Sequence, residues 1–211
     1  MEDHLVRAWV HGWAASRRTS APVTEPDGWR IDVGLPDHRV RYILPSADPD
    51  LVRARVAGLS EQGTWIKVFG NVQATLMPGW TNDEPGHLMT IDLSQVEHAA
   101  LPDGYRLEVH AGGDRAEAVI QAADGALAAR AQTGLAGDHA VLDQVVTEPA
   151  HRRRGLGRVL MGALGAFAHD SGAKTAVLAA TDDGRALYLA LGWADVRPLT
   201  GAWLAKSRDK P

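Results

Sequence analysis

One basic stretch decides the fold, and it reads His151-Arg152-Arg153-Arg154-Gly155-Leu156-Gly157-Arg158. A mostly apolar run over residues 140–147 precedes it and predicts a buried strand. Apolar residues at helical spacing follow it, namely Leu156, Val159, Leu160, Ala163, Leu164 and Phe167. Free backbone amides, the positive end of a helix dipole and guanidinium groups would converge at this turn between strand and helix. The stretch therefore predicts a binding site for a polyanion such as a pyrophosphate.

The spacing of the glycines excludes the two commonest phosphate loops. A Walker A loop ends in Gly-Lys-Ser/Thr, and the sequence contains no such ending. The dinucleotide-binding fingerprint requires a third glycine three positions after Gly157, where this chain has Leu160. The pattern that remains is Arg152-x-x-Gly155-x-Gly157.

This pattern resembles the Arg/Gln-x-x-Gly-x-Gly/Ala signature of the GNAT superfamily, the acetyl-CoA-dependent N-acetyltransferases. Residues 147–152 are similar to the strand exit that precedes the signature in that family. A second landmark, residues 184–193, resembles the family helix that carries a Leu-Tyr pair and ends in Gly-Phe or Gly-Trp. The resemblance covers roughly residues 104–206. It implies a GNAT fold of the α/β (α+β) class, in which helices flank a mixed central sheet.

The resemblance also implies which residues bind acetyl-CoA. In the family, the strand before the signature splays away from its neighbour, and its free backbone groups bind the pantetheine arm. The amides and guanidinium groups of the turn that follows hold the pyrophosphate. The cofactor-binding residues implied here are Val145, Val146, Thr147, Arg152, Arg153, Arg154, Gly155, Leu156, Gly157 and Arg158.

For the chemical step, the resemblance implies a tyrosine that protonates the departing thiolate, and Tyr188 matches it. The general base is left open by the sequence. Asp143 lies on the cofactor strand, and period-two alternation would put it on the same side as Val145 and Thr147. The other candidate bases are Glu148, His139 and Glu108. A water molecule that relays the proton is a further alternative.

The remaining pattern predicts two parts, residues 1–97 and residues 98–211. In the first part we expect a helix over 3–16, strands over 29–33, 39–44, 64–69 and 87–93, and a helix from Pro49, capped by Asp48, to about residue 59. Residues 77–86 are expected to form a loop and 94–103 a linker. In the second part we expect strands over 105–109, 116–121, 126–132 and 175–180, a loop marked by Gly134 and Gly137, and closing segments over 195–197 and 201–206.

The sequence departs from the family pattern at one place. A usual GNAT domain inserts two helices between its first two strands, and they build much of the acceptor site. Between Val109 and Ala116 there is room only for a tight turn. We therefore expect the first part to be a degenerate GNAT-like half that supplies the missing wall. Five of the seven tryptophans precede residue 98, and Trp80 is a candidate wall or lid residue.

Composition sets further bounds. With 211 residues, 45% of them hydrophobic and 23% charged, the chain is typical of a soluble globular protein. The net charge of −4 argues against general nucleic-acid binding. The absence of cysteine excludes disulfides, thiolate metal sites and a cysteine nucleophile. The nine histidines show no metal-ligand spacing, so we expect no metal. No signal peptide or apolar membrane-spanning run is evident, which predicts a cytoplasmic location.

These observations favour a cytoplasmic N-acetyltransferase that uses acetyl-CoA and acetylates a primary amine of a small molecule or peptide by direct attack. We expect no nucleic-acid or membrane partner, and a monomer or homodimer. The alternative is a non-catalytic acyl-CoA-binding sensor or regulatory module. The missing helices favour that alternative, whereas Tyr188 favours the enzyme. A third possibility, acylation of charged tRNA by a toxin, is disfavoured by the acidic net charge.

Overall fold

The computed structural model describes residues 3–72 and 79–204. Its helices are α1 (Asp3–Arg17), α2 (Pro49–Ala57), α3 (Leu156–Asp170) and α4 (Asp182–Ala190). The first six strands are β1 (Val23–Glu25), β2 (Gly28–Leu35), β3 (His38–Leu44), β4 (Thr64–Phe69), β5 (Trp80–Asn82) and β6 (Gly86–Asp92). The others are β7 (Tyr105–Gly112), β8 (Arg115–Ala122), β9 (Leu127–Ala136), β10 (His139–Thr147), β11 (Thr175–Thr181) and β12 (Ala194–Leu204).

The strands form one mixed sheet across both halves of the chain. Its order is β1-β2-β3-β4-β12-β6-β11-β10-β9-β8-β7, and β5 pairs with β12 beside this path. β6, from the first half, lies between β11 and β12, while β12, from the second half, pairs with β4. Each half thus inserts a strand into the other. Each half also contains a parallel pair joined by a helix, β3-α2-β4 and β10-α3-β11.

The helices cover both faces of the sheet. Alternation along β10 points Val141 into an apolar cluster beneath α1, and Ala140 and Leu142 into a second cluster beneath α3. The cluster beneath α1 draws residues from both halves, including Ile43 and Phe69. The two halves therefore share a core. The division at residue 97 and the origin of the first half as a degenerate GNAT-like unit stay predictions.

Two glycines bring α1 into backbone contact with the sheet. A Cβ on Gly134 would lie 2.3 Å from the Gly12 carbonyl oxygen and 2.4 Å from the Ser16 nitrogen. A Cβ on Gly12 would lie 2.4 Å from Val141 Cγ2. The prediction that Gly134 marks a loop is therefore wrong, because it lies inside β9 and makes room for the helix. This packing sets the end of α1 beside the middle of β10.

Most predicted elements are present, including the Asp48 cap, whose side chain accepts hydrogen bonds from the amides of Asp50 and Leu51. Two further predictions need correction. Part of the expected 77–86 loop forms β5, because residues 80–82 pair with β12; residues 77 and 78 lie outside the described residues. The two closing segments are one strand, β12, which continues through Pro198 because it pairs on both sides; residues 205 and 206 lie outside the described residues.

The described residues include no helix that is both long enough and apolar enough to cross a membrane.

Candidate active site

The parallel strands β10 and β11 separate soon after they begin. They pair over only three positions, from His139 with Thr175 to Val141 with Val177. Beyond that point β10 continues along β9 to Thr147, whereas β11 continues along β6 to Thr181. We call the gap between residues 142–147 of β10 and residues 178–181 of β11 the notch. The resemblance implied such a splay at this position.

A β-bulge in β10 shapes one side of the notch. The register with β9 shifts by one residue between Asp143 and Val146, and Gln144 takes a φ of 51°. As a result Asp143 points towards α1, while Val145 packs against the apolar cluster beneath α3. The expectation that Asp143 and Val145 share one side is therefore wrong, because the bulge breaks the period-two alternation.

The basic turn joins the end of β10 to α3. Residues 149–151 form one turn of 3₁₀-helix, Arg153 takes a φ of 62°, and Gly155 caps α3 with a φ of 79°. A Cβ on Gly155 would meet no atom within 4 Å, so the backbone conformation, not crowding, requires glycine here. In the part of the chain that the structure describes, the amides from Arg153 to Gly157 donate no hydrogen bond. The turn thus presents unpaired donors at the start of a helix.

The cationic side chains of the turn are exposed and only partly engaged. Arg152 Nε donates to the Thr147 carbonyl at 3.2 Å. Arg154 Nη1 donates to the Tyr105 hydroxyl at 2.9 Å. Arg158 lies 3.6 Å from a carboxylate oxygen of Glu97. Arg153 has no ion-pair or hydrogen-bond partner among the described residues, so its guanidinium group can meet an external anion.

Tyr105, at the start of β7, contacts the basic turn, and the sequence did not indicate this contact. Its hydroxyl lies 2.9 Å from His151 Nδ1 and accepts the hydrogen bond from Arg154. It thereby ties the first strand of the second half to the basic turn. In the sequence, Tyr105 stands at the start of a predicted strand. That position predicts a strand residue but not a contact with the basic turn.

Tyr188 lies in α4 and is buried, with 8% of its surface exposed. It packs in the same apolar cluster as Leu142, Val145 and Leu178, which border the notch. Burial, and secondly the charge of Asp143, raise the pKa of Tyr188 to about 12. Its hydroxyl makes no hydrogen bond with any described residue. Since no fully buried side-chain nitrogen or oxygen among those residues lacks a partner, this hydroxyl is reached by solvent.

Asp143 lies on the opposite side of the bulge, in an ion pair with α1. Arg17 Nε lies 2.6 Å from Asp143 Oδ2, and Arg17 Nη2 lies 3.0 Å from Oδ1. Ser16 Oγ and Gln132 Nε2 also donate to Oδ2, at 3.1 and 3.4 Å. Both carboxylate oxygens are therefore occupied, which disfavours direct proton abstraction by Asp143.

The other candidate bases lie in different settings. His139 is at the far end of β10, 2.7 Å from Asp138. Glu108 lies on β7 and pairs with Arg106 and His110. Glu148 lies at the exit of β10 and makes no side-chain cap with the turn that follows. The structure brings Asp143 and Glu148 to the notch end of β10 and leaves His139 at the opposite end.

Charged side chains of both halves meet beneath α1. We call Arg17, Arg41, Lys67, Asp83 and Asp143 the charge cluster. Arg17 pairs with Asp143, and Lys67 pairs with Asp83. The guanidinium carbons of Arg17 and Arg41 lie 4.8 and 4.2 Å from the centre of the Trp13 ring, so one indole contacts both cations.

A cavity of about 460 Å³ opens beside this cluster and draws on both halves of the chain. Its lining includes Arg17, His38, Gln132 and Gln144. A larger cavity, of about 640 Å³, lies along the outer side of α1 beside His4 and His139, and its lining contains no member of the charge cluster. The smaller cavity is therefore the one that adjoins the bulge.

The sequence of residues 90–193 matches the family model of the GNAT acetyltransferases. The chain belongs to the GNAT superfamily. The match begins within β6 and ends just after α4, so it includes the notch, the basic turn and Tyr188. No curated protein matches the sequence closely enough to serve as a relative.

Solved structures extend the likeness in fold beyond the GNAT match. A GCN5-related N-acetyltransferase from Kribbella flavida has 16% identity and a TM-score of 0.61, over 88% of this chain and 90% of its own. A GNAT-family protein from Novosphingobium aromaticivorans has 20% identity and a TM-score of 0.63, over 97% of this chain and all of its own. A tandem GNAT protein from the clavulanic acid biosynthesis pathway has 17% identity and a TM-score of 0.53, over 75% of this chain and 70% of its own.

The first half lies beside the bulge of β10 through α1 and β3, because Arg17 pairs with Asp143 and neighbours Arg41. Trp13 and Arg17 come from α1, and His38 and Arg41 from β3. Trp80, expected as a wall or lid residue, instead packs against the apolar cluster beneath α2. His38, Arg41 and Lys67 carry no motif, and only the folded chain brings them close to Arg17, the partner of Asp143.

Proposed function

We propose that this GNAT protein is an N-acetyltransferase that transfers an acetyl group from acetyl-CoA to a primary amine of a small molecule or peptide by direct attack. One observation carries the proposal. Unpaired helix-start amides lie just beyond the end of β10 at the notch, and a charged cavity adjoins β10 at Gln144, in the bulge. A cofactor and an acceptor could thus approach the same stretch of β10 from different directions.

The basic turn fits the pyrophosphate of acetyl-CoA. Unpaired amides from Arg153 to Gly157 and the exposed guanidinium groups of Arg152, Arg153, Arg154 and Arg158 match its charge. The open space beside Gly155 allows a phosphate to reach the backbone. The backbone of Val145, Val146 and Thr147, which has no sheet partner on the notch side, would hold the pantetheine arm. When bound, acetyl-CoA supplies the thioester carbonyl that a neutral amine attacks.

Tyr188 would act as a hydrogen-bond donor at the leaving sulfur. With a pKa of about 12 its phenol stays protonated at neutral pH. A thiol of ordinary acidity has a pKa of about 8.5, so complete transfer of the phenol proton to a thiolate is unfavourable by roughly three powers of ten. A hydrogen bond that strengthens as charge develops on sulfur is the role that this environment favours.

The deprotonation of the amine is better assigned to water than to Asp143. Both oxygens of Asp143 accept hydrogen bonds from Arg17, so the carboxylate is already engaged on the side of α1. Asp143 would instead fix Arg17 and the bulge beside the cavity. The structure offers less support for a non-catalytic sensor, because Tyr188, the tyrosine expected to assist the leaving group, packs with residues that border the notch. A cytoplasmic location stays a prediction.

Release of free CoA from acetyl-CoA, measured with a thiol reagent across a panel of amines, tests the proposal. The chain has no cysteine and adds no background signal. We expect release that depends on the amine. If no amine stimulates release while acetyl-CoA still binds in a calorimeter, the transferase proposal is wrong and a sensor is favoured.

A further inference from the structure

Arg41 is a buried cation without an anionic partner. Only 6% of its surface is exposed. Its Nε donates a hydrogen bond to His38 Nε2 at 3.1 Å, and its guanidinium group lies over the Trp13 ring. Within residues 3–72 and 79–204, no carboxylate pairs with it, although Arg17 and Lys67 beside it each have one.

An unpaired buried guanidinium group is costly, since burial removes its hydration. Burial and the neighbouring charge of Arg17 lower the pKa of Arg41 to about 9. Burial together with Arg41 also keeps the pKa of His38 low, at about 3, so that His38 is a neutral acceptor. The charge cluster therefore has three cations and two carboxylates, and an added anion would balance it.

The exposed part of Arg41 lies at its terminal nitrogens. No fully buried side-chain nitrogen or oxygen among the described residues lacks a hydrogen-bond partner. Nη1 and Nη2 of Arg41 have no hydrogen-bond partner among those residues, so neither nitrogen is fully buried. These two nitrogens form the edge of the guanidinium group that binds a carboxylate through two parallel hydrogen bonds.

We propose that Arg41 binds an anionic group of the acceptor, so that the acceptor is an amine that also carries a carboxylate. This inference rests on the proposed acetyltransferase function. Arg17 connects Arg41 with the bulge, because it contacts the same Trp13 ring as Arg41 and pairs with Asp143. The carboxylate would lie at Arg41 while the amine faces the notch.

The aromatic surroundings of Arg41 favour a carboxylate over a more strongly hydrated phosphate. Trp13 and Trp65 both contact its guanidinium group, at 4.2 and 5.6 Å from the ring centres. His38 packs against Trp65 with ring centres 4.8 Å apart. A small planar anion between aromatic side chains loses less hydration than a phosphate does. Both anions share the same recognition chemistry, and the experiment separates them.

The test compares common amino acids with their carboxamides, and phosphoethanolamine with ethanolamine. Binding of each compound to the protein without acetyl-CoA is measured by calorimetry, and turnover by CoA release. Arg41→Gln and Arg41→Lys are compared with the control Arg39→Gln, which changes an exposed arginine on the same strand that pairs with Glu61. Acetyl-CoA affinity of each variant reports whether the fold is intact.

We expect at least one amino acid to bind and its carboxamide to bind roughly tenfold or more weakly, as for the loss of a charge-assisted hydrogen bond. Arg41→Gln should abolish this difference, Arg41→Lys should restore part of it, and Arg39→Gln should leave it unchanged. Equal binding of acids and amides, or preference for phosphoethanolamine, would overturn the carboxylate assignment. If the acids bind through Arg41 but no amine is acetylated, the anion site stands and the proposed function fails.

Discussion

Arg17 and Asp143 form a two-pronged ion pair that joins the end of α1 to the bulge of β10. The two contacts are 2.6 Å from Nε to Oδ2 and 3.0 Å from Nη2 to Oδ1. α1 belongs to the first half of the chain and β10 to the second, so this pair fixes one half against the notch of the other. The proposed acceptor side of the notch therefore depends on a contact between residues that are far apart in sequence.

Removing one partner of this pair should destabilise the protein. For Arg17→Met we expect the free energy of unfolding to fall by about 1–3 kcal/mol, because Asp143 stays largely buried without its cation. Urea denaturation, followed by tryptophan fluorescence, measures this change in the free energy of unfolding. The control is Arg18→Met, at an adjacent exposed arginine. Adding Asp143→Asn to Arg17→Met should cost less than the sum of the single changes; strict additivity would show that the pair is not coupled.

Tyr188→Phe should reduce turnover and leave acetyl-CoA affinity nearly unchanged. The phenyl ring keeps its packing against Trp193, while the donor at the leaving sulfur is lost. A decrease in kcat of roughly tenfold to a hundredfold is expected, as for the loss of one hydrogen bond to a charged group. Steady-state kinetics and calorimetry give the two quantities. Unchanged kcat would remove Tyr188 from the chemical step.

Gly155→Asp should abolish acetyl-CoA binding. The carboxylate would place negative charge and bulk where the pyrophosphate would meet the amides of the turn. Gly137→Asp is a matched control, because Gly137 also has a positive φ, of 63°, and open space around it, but lies in the β9–β10 turn away from α3. Calorimetry should show loss of binding only for Gly155→Asp. Similar loss in both variants would point to misfolding, and retained binding in Gly155→Asp would refute the assigned site.

His38 should make stability fall in mild acid. Burial lowers its pKa to about 3 from an unfolded value of 6.5, so the unfolded chain takes up the proton first. The stabilisation is fully present above pH 6.5 and is lost as the pH falls towards 3. In His38→Gln, which keeps an acceptor for Arg41, the urea midpoint should depend less on pH between 7.5 and 5 than in the parent protein. An equal dependence in both proteins would contradict the buried, neutral state of His38.

The sequence predicted the parts of the site that rest on local patterns. The basic turn and α3 lie in a short segment in which glycines and helical periodicity indicate structure directly, whereas Tyr188 was identified through the resemblance to the family helix that carries a Leu-Tyr pair. The bulge was not predictable, because Gln144 has a positive φ, and glutamine is not a residue type in which a positive φ is expected. Because alternation takes no account of the bulge, it placed Val145 on the same side as Asp143, whereas Val145 packs beneath α3.

Long-range contacts explain the other differences. Gly134 resembled a loop residue, but it lies in a strand because α1 approaches its backbone. Pro198 resembled a break in β12, but partners on both sides keep the strand continuous. Arg41 and His38 lie near the bulge only because the two halves of the chain pack together. Arg41 and Asp143 are more than 100 residues apart in sequence, so no local pattern predicts that they are close in the fold.

Detection of the acetylated amine by mass spectrometry tests the central proposal most directly, since it distinguishes transfer from hydrolysis of acetyl-CoA. The protein is incubated with acetyl-CoA and the amino acid that binds best, beside Tyr188→Phe and a reaction without protein. We expect the amine to gain one acetyl group with the parent protein, and much more slowly with Tyr188→Phe. Release of CoA without any acetylated amine, or equal rates for both proteins, would contradict acetyl transfer at this notch.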